Sequence, residues 1–94
     1  MTLHIRLLEL ERYLPNVNND ADLQRALGPL KRYCREQTNH ALTLAPFSEA
    51  DRGEAAVVII GTDKGKIESA VRLLEEWMEA TLPGQMLRFE GNWL

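Results

Sequence analysis

The residues whose types and spacing come closest to a ligand-binding motif lie in segment 61–66, between a predicted strand and a predicted helix. Main-chain N–H groups at the start of a helix often bind phosphate. The segment is one residue short of phosphate-loop spacing, and Ile67 stands where that motif has its metal-binding Ser or Thr. Lys64 and Lys66 nevertheless fall in the first helical turn, where the helix dipole disfavours cations. We therefore predict at most a weak anion site at Thr62, Lys64 and Lys66, the alternative being two solvated lysines.

A second candidate site is a basic stripe on the solvent side of the predicted first helix. Its members are Arg25, Lys31, Arg32 and Arg35. Their spacing places them along one side of the helix, and a charged face that contacts only water is the favoured interpretation. The alternative is a contact with RNA or an acidic partner. The net charge of the chain is −3, so a nucleic-acid site would have to be a local patch of this kind.

The sequence predicts neither a metal site nor a catalytic constellation. His4 and His40 are far apart, and no set of His, Cys or carboxylate residues has zinc-ligand spacing. Each histidine is interpreted as a polar residue at a strand end. Cys34, the only cysteine, lies on an apolar helix stripe and is expected to be an inert core thiol. We therefore expect a cytoplasmic protein with no disulfide, no cofactor and no enzymatic activity, and no membrane association.

Hydrophobic periodicity predicts six elements to position these residues. Alternating or continuous apolar runs predict strands over 3–14, 40–46, 54–60 and 86–93, and apolar stripes predict helices over 20–38 and 64–81. Asn19 or Asp20 and Thr62 or Asp63 are the natural N-caps. Pro29 removes one helical hydrogen bond. Because the apolar stripe keeps its phase across Gly28-Pro29, a kinked first helix is favoured over two separate helices.

The element order βαββαβ predicts a single α+β domain over residues 1–94. Two βαβ-like halves with right-handed crossovers place two helices on one face of a four-stranded antiparallel sheet, in strand order 4-1-3-2. This is the ferredoxin-like arrangement. The third strand, from Ala55 to Ile60, has no polar alternation, so both of its faces are expected to be covered.

The other face of the sheet is predicted to be polar and partly acidic. The residues predicted to point outward are Glu9, Glu11, Thr43, Arg88 and Glu90, with Tyr13 as the one aromatic. Such a face suits water or a protein contact better than base stacking, which needs several aromatics. Trp93 either closes the core or anchors a partner, so Tyr13 and Trp93 are the candidate interface residues.

Several short features occur in a fixed order along the whole chain. They are Leu14-Pro15, Asn39, Arg52-Gly53-Glu54-Ala55, Gly61-Thr62-Asp63 and Pro83-Gly84. In order and spacing the chain resembles the YlxP-like family of small bacterial proteins. The resemblance implies a ferredoxin-like fold, no assigned activity, and genes that often lie among those for translation and ribosome maturation. Arg12 departs from the family's usual apolar residue, and segment 18–22 lacks its Lys-rich helix start, which weakens an inherited case for RNA binding.

Three functions remain open from the sequence. The first is a non-enzymatic protein-interaction domain, expected to be a homodimer. The second is an accessory factor that binds RNA or the ribosome through the basic stripe. The third is a small-ligand binder or enzyme, which would need a pocket with convergent polar groups.

Overall fold

The computed structural model describes residues 1–94 as four strands and three helices. The elements in chain order are β1 (His4–Tyr13), α1 (Asp20–Ala26), α2 (Gly28–Arg35), β2 (His40–Leu44), β3 (Arg52–Gly61), α3 (Lys64–Thr81) and β4 (Gln85–Trp93). None of the helices combines the length and apolar character needed to cross a lipid bilayer.

The four strands form one antiparallel sheet in the order β2-β3-β1-β4. This is the predicted order 4-1-3-2 counted from the other edge. β1 pairs with β3 without interruption from His4–Gly61 to Tyr13–Arg52. The pairing of β1 with β4 shifts register between Glu11 and Arg12, which is the position of a β-bulge.

The prediction of one kinked helix over 20–38 is wrong, because the structure has two helices that meet at Leu27. Leu27 has φ −99° and ψ 8°, outside the helical range. Pro29 cannot donate to the carbonyl of Arg25, and the N–H of Leu27 turns toward that carbonyl and toward Leu23. The second helix also ends at Arg35 rather than at residue 38.

The core lies between the three helices and one face of the sheet. β1 contributes Leu8 and Leu10, and β3 contributes Val57 and Ile59, at alternate positions of each strand, and Leu14 follows directly after β1. The helices cover these residues with one apolar stripe each, which includes Leu23, Leu30, Cys34, Ile67, Val71, Leu74 and Met78. The remaining positions of both strands therefore point to the opposite face of the sheet.

Two side chains fix where the helices begin. The Oδ1 of Asn19 accepts from the backbone N–H of Asp22 at 2.8 Å. The Oδ1 of Asp63 accepts from the backbone N–H of Lys66 at 3.2 Å. These contacts satisfy N–H groups that have no partner within a helix, and they confirm two of the four predicted capping residues.

Candidate interaction surfaces

The sheet face that no helix covers, which we call the open face, has an apolar half. On it Ile5 lies opposite Ile60, and Leu7 lies opposite Val58, which also pairs with Ala41. Ile60 is 40% exposed and Ala41 is exposed, while the other three are half-buried. The apolar half of the open face is therefore a continuous patch across three strands, and nothing within the chain packs on it.

This patch corrects the sequence analysis at β3. The expectation that both faces of β3 are covered is wrong for the outer face, which carries Val58 and Ile60. The adjacent apolar residues Leu7 and Leu8 have the same origin, since pairing with β3 is regular there and Leu8 points into the core. Ile5 and Leu7 are outward-facing apolar residues, and no bulge occurs at that point.

The polar half of the open face lies toward the other end of the strands. It carries the outward residues predicted from alternation, including Glu9, Glu11, Arg88 and Glu90. Arg52 bridges Glu11 at 3.1 Å and Glu49 at 2.8 Å, and Arg88 lies 3.5 Å from Glu90. Surface ion pairs of this kind contribute little to stability, so the polar half is hydrated and internally compensated.

The predicted interface aromatics lie in two different places. Tyr13 is 40% exposed at the polar end of β1, beside Arg52 and Gln85. Trp93 is half-buried and packs against the core. The guanidinium of Arg6 lies 4.9 Å and the ammonium of Lys64 lies 5.1 Å from the centre of a Trp93 ring, as cation–π contacts do. The two aromatics therefore do not share a surface, and a contact of either with a partner stays a prediction.

The predicted anion residues surround a helix start that already has a carboxylate. Asp63 caps α3 through Lys66, and Lys64 is directed toward Trp93. Thr62, Lys64 and Lys66 are all exposed. An anion here would meet the negative charge of Asp63, so the weak anion site stays a prediction that this geometry does not strengthen.

The residues of the basic stripe differ in their surroundings, because some form local contacts and some line a groove. Arg25 forms an ion pair with Asp22 on the same helix at 2.5 Å. Lys31 donates to Gln24, and Arg32 and Arg35 are exposed with no carboxylate within 4.0 Å. Of the four, Lys31 and Arg35 line a common groove of about 390 Å³ between α2 and β2.

The α2–β2 groove also contains two titratable groups whose pKa is shifted by burial. Cys34, His40, Leu42 and Leu44 contribute to its walls. Burial raises the pKa of the Cys34 thiol to about 11 and lowers the pKa of His40 below its usual 6.5. Both groups are therefore neutral at pH 7. A thiol held in this form is a poor nucleophile, which supports the prediction that Cys34 is inert.

Arg12 is a fully buried cation that the sequence analysis noted only as a departure from a family pattern. Its Nε donates to the carbonyl of Pro83 at 2.8 Å, and Nη2 donates to Leu82 at 3.1 Å and Gly84 at 3.3 Å. Its Nη1 bonds Glu79 at 3.1 Å. Arg12 thus fixes the turn between α3 and β4. Its partners lie some seventy residues away in sequence, so no local pattern signals the role.

No group of three His, Cys, Asp or Glu side chains in the structure is placed to bind a metal ion. Of the grooves on the surface, the α2–β2 groove has the most varied lining, with two cations, a thiol, an imidazole and two leucines.

Comparison with solved structures identifies the fold. A de novo designed protein superimposes with a TM-score of 0.55 at 18% identity, covering 99% of this chain and 97% of that chain. A dimeric ferredoxin-like protein of unknown function from Thermobifida fusca has a TM-score of 0.50 at 18% identity, with 98% and 90% covered. The C-terminal domain of a cyclometallase involved in synthesis of the lactate racemase cofactor has a TM-score of 0.52 at 12% identity, with 99% and 56% covered.

These likenesses establish the ferredoxin-like fold and nothing more specific, because all three identities are low. No protein-family model matches the chain, and no curated protein sequence matches it. The resemblance to the YlxP-like proteins stays a prediction.

Proposed function

We propose that this chain is a non-enzymatic protein-interaction domain that self-associates through the apolar half of its open face. The observation that carries the proposal is the uncovered patch of Ile5, Leu7, Ala41, Val58 and Ile60. A contiguous exposed apolar patch with a polar border is typical of a protein–protein contact. A domain of this length also buries a limited core, so association adds stability that the single chain lacks.

A second copy of the chain is the occupant that fits the patch. A two-fold axis through the patch, near Val58 and Leu7, places each apolar half against the other. The two sheets then pack face to face at about 10 Å, the usual separation of stacked sheets. The polar halves extend to opposite sides, where Glu9, Glu11 and their neighbours stay in water. No buried charge is created by this arrangement.

The dimeric ferredoxin-like protein from Thermobifida fusca supports self-association as a use of this fold. Its similarity to this chain is one of fold, so the support concerns the architecture and not the particular residues.

The test is the mass of the protein in solution, measured by sedimentation velocity over a wide range of concentration. We expect a mass above that of one 10.7 kDa chain, increasing with concentration as mass action requires. Ile60→Glu places a charge in the patch and is expected to weaken dimerisation by about tenfold or more. Leu73→Glu is the matched control, because Leu73 is 60% exposed on α3, away from the sheet.

Two results would contradict the proposal. One is a monomer at every concentration. The other is an oligomer that Ile60→Glu leaves intact, or that Leu73→Glu disrupts equally, because the contact would then lie elsewhere on the molecule.

An RNA- or ribosome-associated factor is the alternative function. It is supported by the exposure of Arg32 and Arg35 without carboxylate partners. Co-sedimentation with ribosomal particles, weakened by salt and abolished by Arg32→Glu, would favour it over the self-associating domain. Protein that remains in the supernatant at low salt would eliminate it.

A further inference from the structure

β2 is an edge strand whose outer side has no partner in the chain. Asn39 accepts from the N–H of Ile60, and Ala45 donates to Glu54. In an antiparallel ladder these bonds recur at every second residue. The odd-numbered residues of β2 therefore bond to β3, and the backbone N–H and C=O groups of His40, Leu42 and Leu44 point outward. An exposed row of this kind is a template for an added strand.

The α2–β2 groove runs along this free edge and is positively charged. Lys31 and Arg35 line it from the helix, and no acidic residue lines it. The half-buried Leu42 and Leu44 form an apolar floor beside the buried Cys34. The groove therefore combines free backbone groups, apolar surface and two cations within a short distance.

His40 adds a buried polar atom without a partner in the same groove. Its Nδ1 lies 2.9 Å from Oδ1 of Asn39, whose Nδ2 donates to the carbonyl of Ile60 at 3.1 Å. Asn39 thus presents an acceptor, and Nδ1 of the neutral imidazole must carry the proton. The Nε2 is then an acceptor, and it is buried with no hydrogen-bond partner. Such groups are normally satisfied, so His40 marks a part of the groove wall that is incomplete within the chain.

We infer that the β2 edge and the α2–β2 groove bind an extended acidic peptide segment of another protein as an added fifth strand. Backbone pairing to His40, Leu42 and Leu44 supplies affinity, and side chains at alternate positions supply specificity. Acidic side chains on the helix side of the added strand face Lys31 and Arg35. Apolar side chains on its other side extend the open face beside Ala41 and Thr43.

A second copy of the chain fits this edge poorly. Pairing two β2 strands about a two-fold axis places both sets of helices on the same side of the joined sheet. The α2 helices then lie next to each other, and Lys31 and Arg35 of one copy approach the same residues of the other. Like charges in contact oppose association. An acidic segment reverses the sign of this interaction, which is why we favour it.

The probe is a fluorescently labelled short peptide of alternating glutamate and valine, and its binding is followed by fluorescence anisotropy. We expect saturable binding that weakens with salt. Arg35→Glu and Lys31→Glu are each expected to weaken it by about tenfold. Arg72→Glu is the matched control, because Arg72 is exposed on α3. That variant should bind the peptide within about twofold of the original chain.

Two N-methylated forms of the peptide test backbone pairing without altering the protein. One form is methylated on the glutamate nitrogens and the other on the valine nitrogens. An added strand turns only one of these sets toward β2. We therefore expect one form to lose at least about tenfold in affinity and the other to bind as the parent does.

Three results would overturn the inference. Equal binding of both methylated forms would show that the peptide does not join the sheet. If Arg72→Glu weakened peptide binding as much as Arg35→Glu does, the peptide would be attracted by the overall charge of the protein and not bound at a defined site. Tighter binding of a short single-stranded RNA, competing with the peptide and lost in Arg35→Glu, would make the groove a nucleic-acid site instead.

Discussion

The turn bound by Arg12 and the side of the sheet around β2 differ in whether their groups have partners within the chain. At the turn, a fully buried guanidinium donates to three carbonyls and one carboxylate, so four of the five N–H groups of a costly buried cation have partners. Around β2, apolar side chains face outward, a row of backbone groups is unpaired, and His40 Nε2 has no partner. The first region is complete within the chain, and the second is complete only with something added.

This difference separates residues that act on stability from residues that act on binding. Replacing a group in the completed region leaves its buried partners unsatisfied, so the free energy of unfolding decreases. Replacing a group that has no partner removes nothing from the folded chain, so only association changes. The predictions below test this separation, from the largest change in stability to the smallest.

The largest effect is expected for Arg12→Met, which keeps the volume but removes every donor. The carbonyls of Leu82, Pro83 and Gly84 lose these bonds, of which the one to Leu82 is buried and the other two are partly buried. We expect the free energy of unfolding to decrease by about 3 kcal/mol, which lowers the midpoint of thermal unfolding by roughly 12–24 °C in a domain of this size. Circular dichroism during heating measures it.

Glu79→Gln is the control for Arg12→Met. It removes the charge that pairs with Arg12 but keeps an oxygen acceptor, and the Glu79 side chain is 52% exposed. A loss below about 1 kcal/mol is expected. If Arg12→Met proved as stable as the original chain, the free-energy cost of desolvating the guanidinium would cancel the stabilisation from its hydrogen bonds. Arg12 would then not stabilise the turn.

The second effect depends on pH and on Cys34. The unfolded thiol has an ordinary pKa of 9.0, and the folded one has a pKa of about 11. Between these values the unfolded state releases its proton first, so stability is complete below pH 9 and decreases as pH rises toward 11. The loss should reach roughly 2 kcal/mol. Thermal unfolding at a series of alkaline pH values measures it.

The comparison protein for this measurement is Cys34→Ala, because other groups titrate in the same range. Burial raises the pKa of Tyr33 as well. Only the difference between the two proteins in how steeply stability decreases with pH is caused by the thiol. Parallel curves would mean that Cys34 is exposed to water in the folded state, and the α2–β2 groove would then be deeper than described.

The fold was predictable because it depends on local periodicity, whereas the two contrasting regions depend on distant partners. Alternation and one continuous apolar run placed four strands correctly, and the element order with right-handed crossovers gave the sheet order. The role of Arg12 could not be predicted, because it depends on contacts with a turn near residue 83, far away in the sequence. The apolar half of the open face was missed because an apolar run such as 55–60 is identical whether one face or both are covered.

The basic stripe shows the same limit of prediction from local sequence, here within one helical segment. Its members were correctly placed on the solvent side, yet Arg25 is compensated by Asp22 while Lys31 and Arg35 border a groove. The sequence gives no measure of how close β2 lies to α2. The break at Leu27 was likewise predicted wrongly as a kink, because Pro29 is compatible with a kink or a new helix start.

A smaller effect is expected at His40. Burial lowers its pKa below 6.5 in the folded chain, so the unfolded chain binds a proton more readily there. Stability is therefore complete above about pH 6.5 and decreases as the solution becomes more acidic. The side chain is only partly buried, so the loss stays below about 1 kcal/mol.

The measurement for His40 is urea unfolding at several pH values between about pH 7.5 and pH 5.5, repeated with His40→Gln. His4 is present in both proteins, so it does not contribute to the difference between them. A smaller dependence on pH in His40→Gln is the expected result. An unchanged dependence would place the imidazole in water and remove its unpaired Nε2 from the argument for an added strand.

The smallest effect is expected for Ile60→Thr, and it separates the two regions most sharply. Ile60 is 40% exposed in the single chain, and threonine keeps the β-branch that favours a strand. At concentrations where the protein is monomeric, the free energy of unfolding should change by less than about 1 kcal/mol. At high concentration the same variant should be the less stable one, because the original chain gains stability from its dimer. Urea unfolding at two protein concentrations measures both values. A large loss already in the monomer would mean that the open face stabilises the single chain, and that its apolar half is not left for a partner.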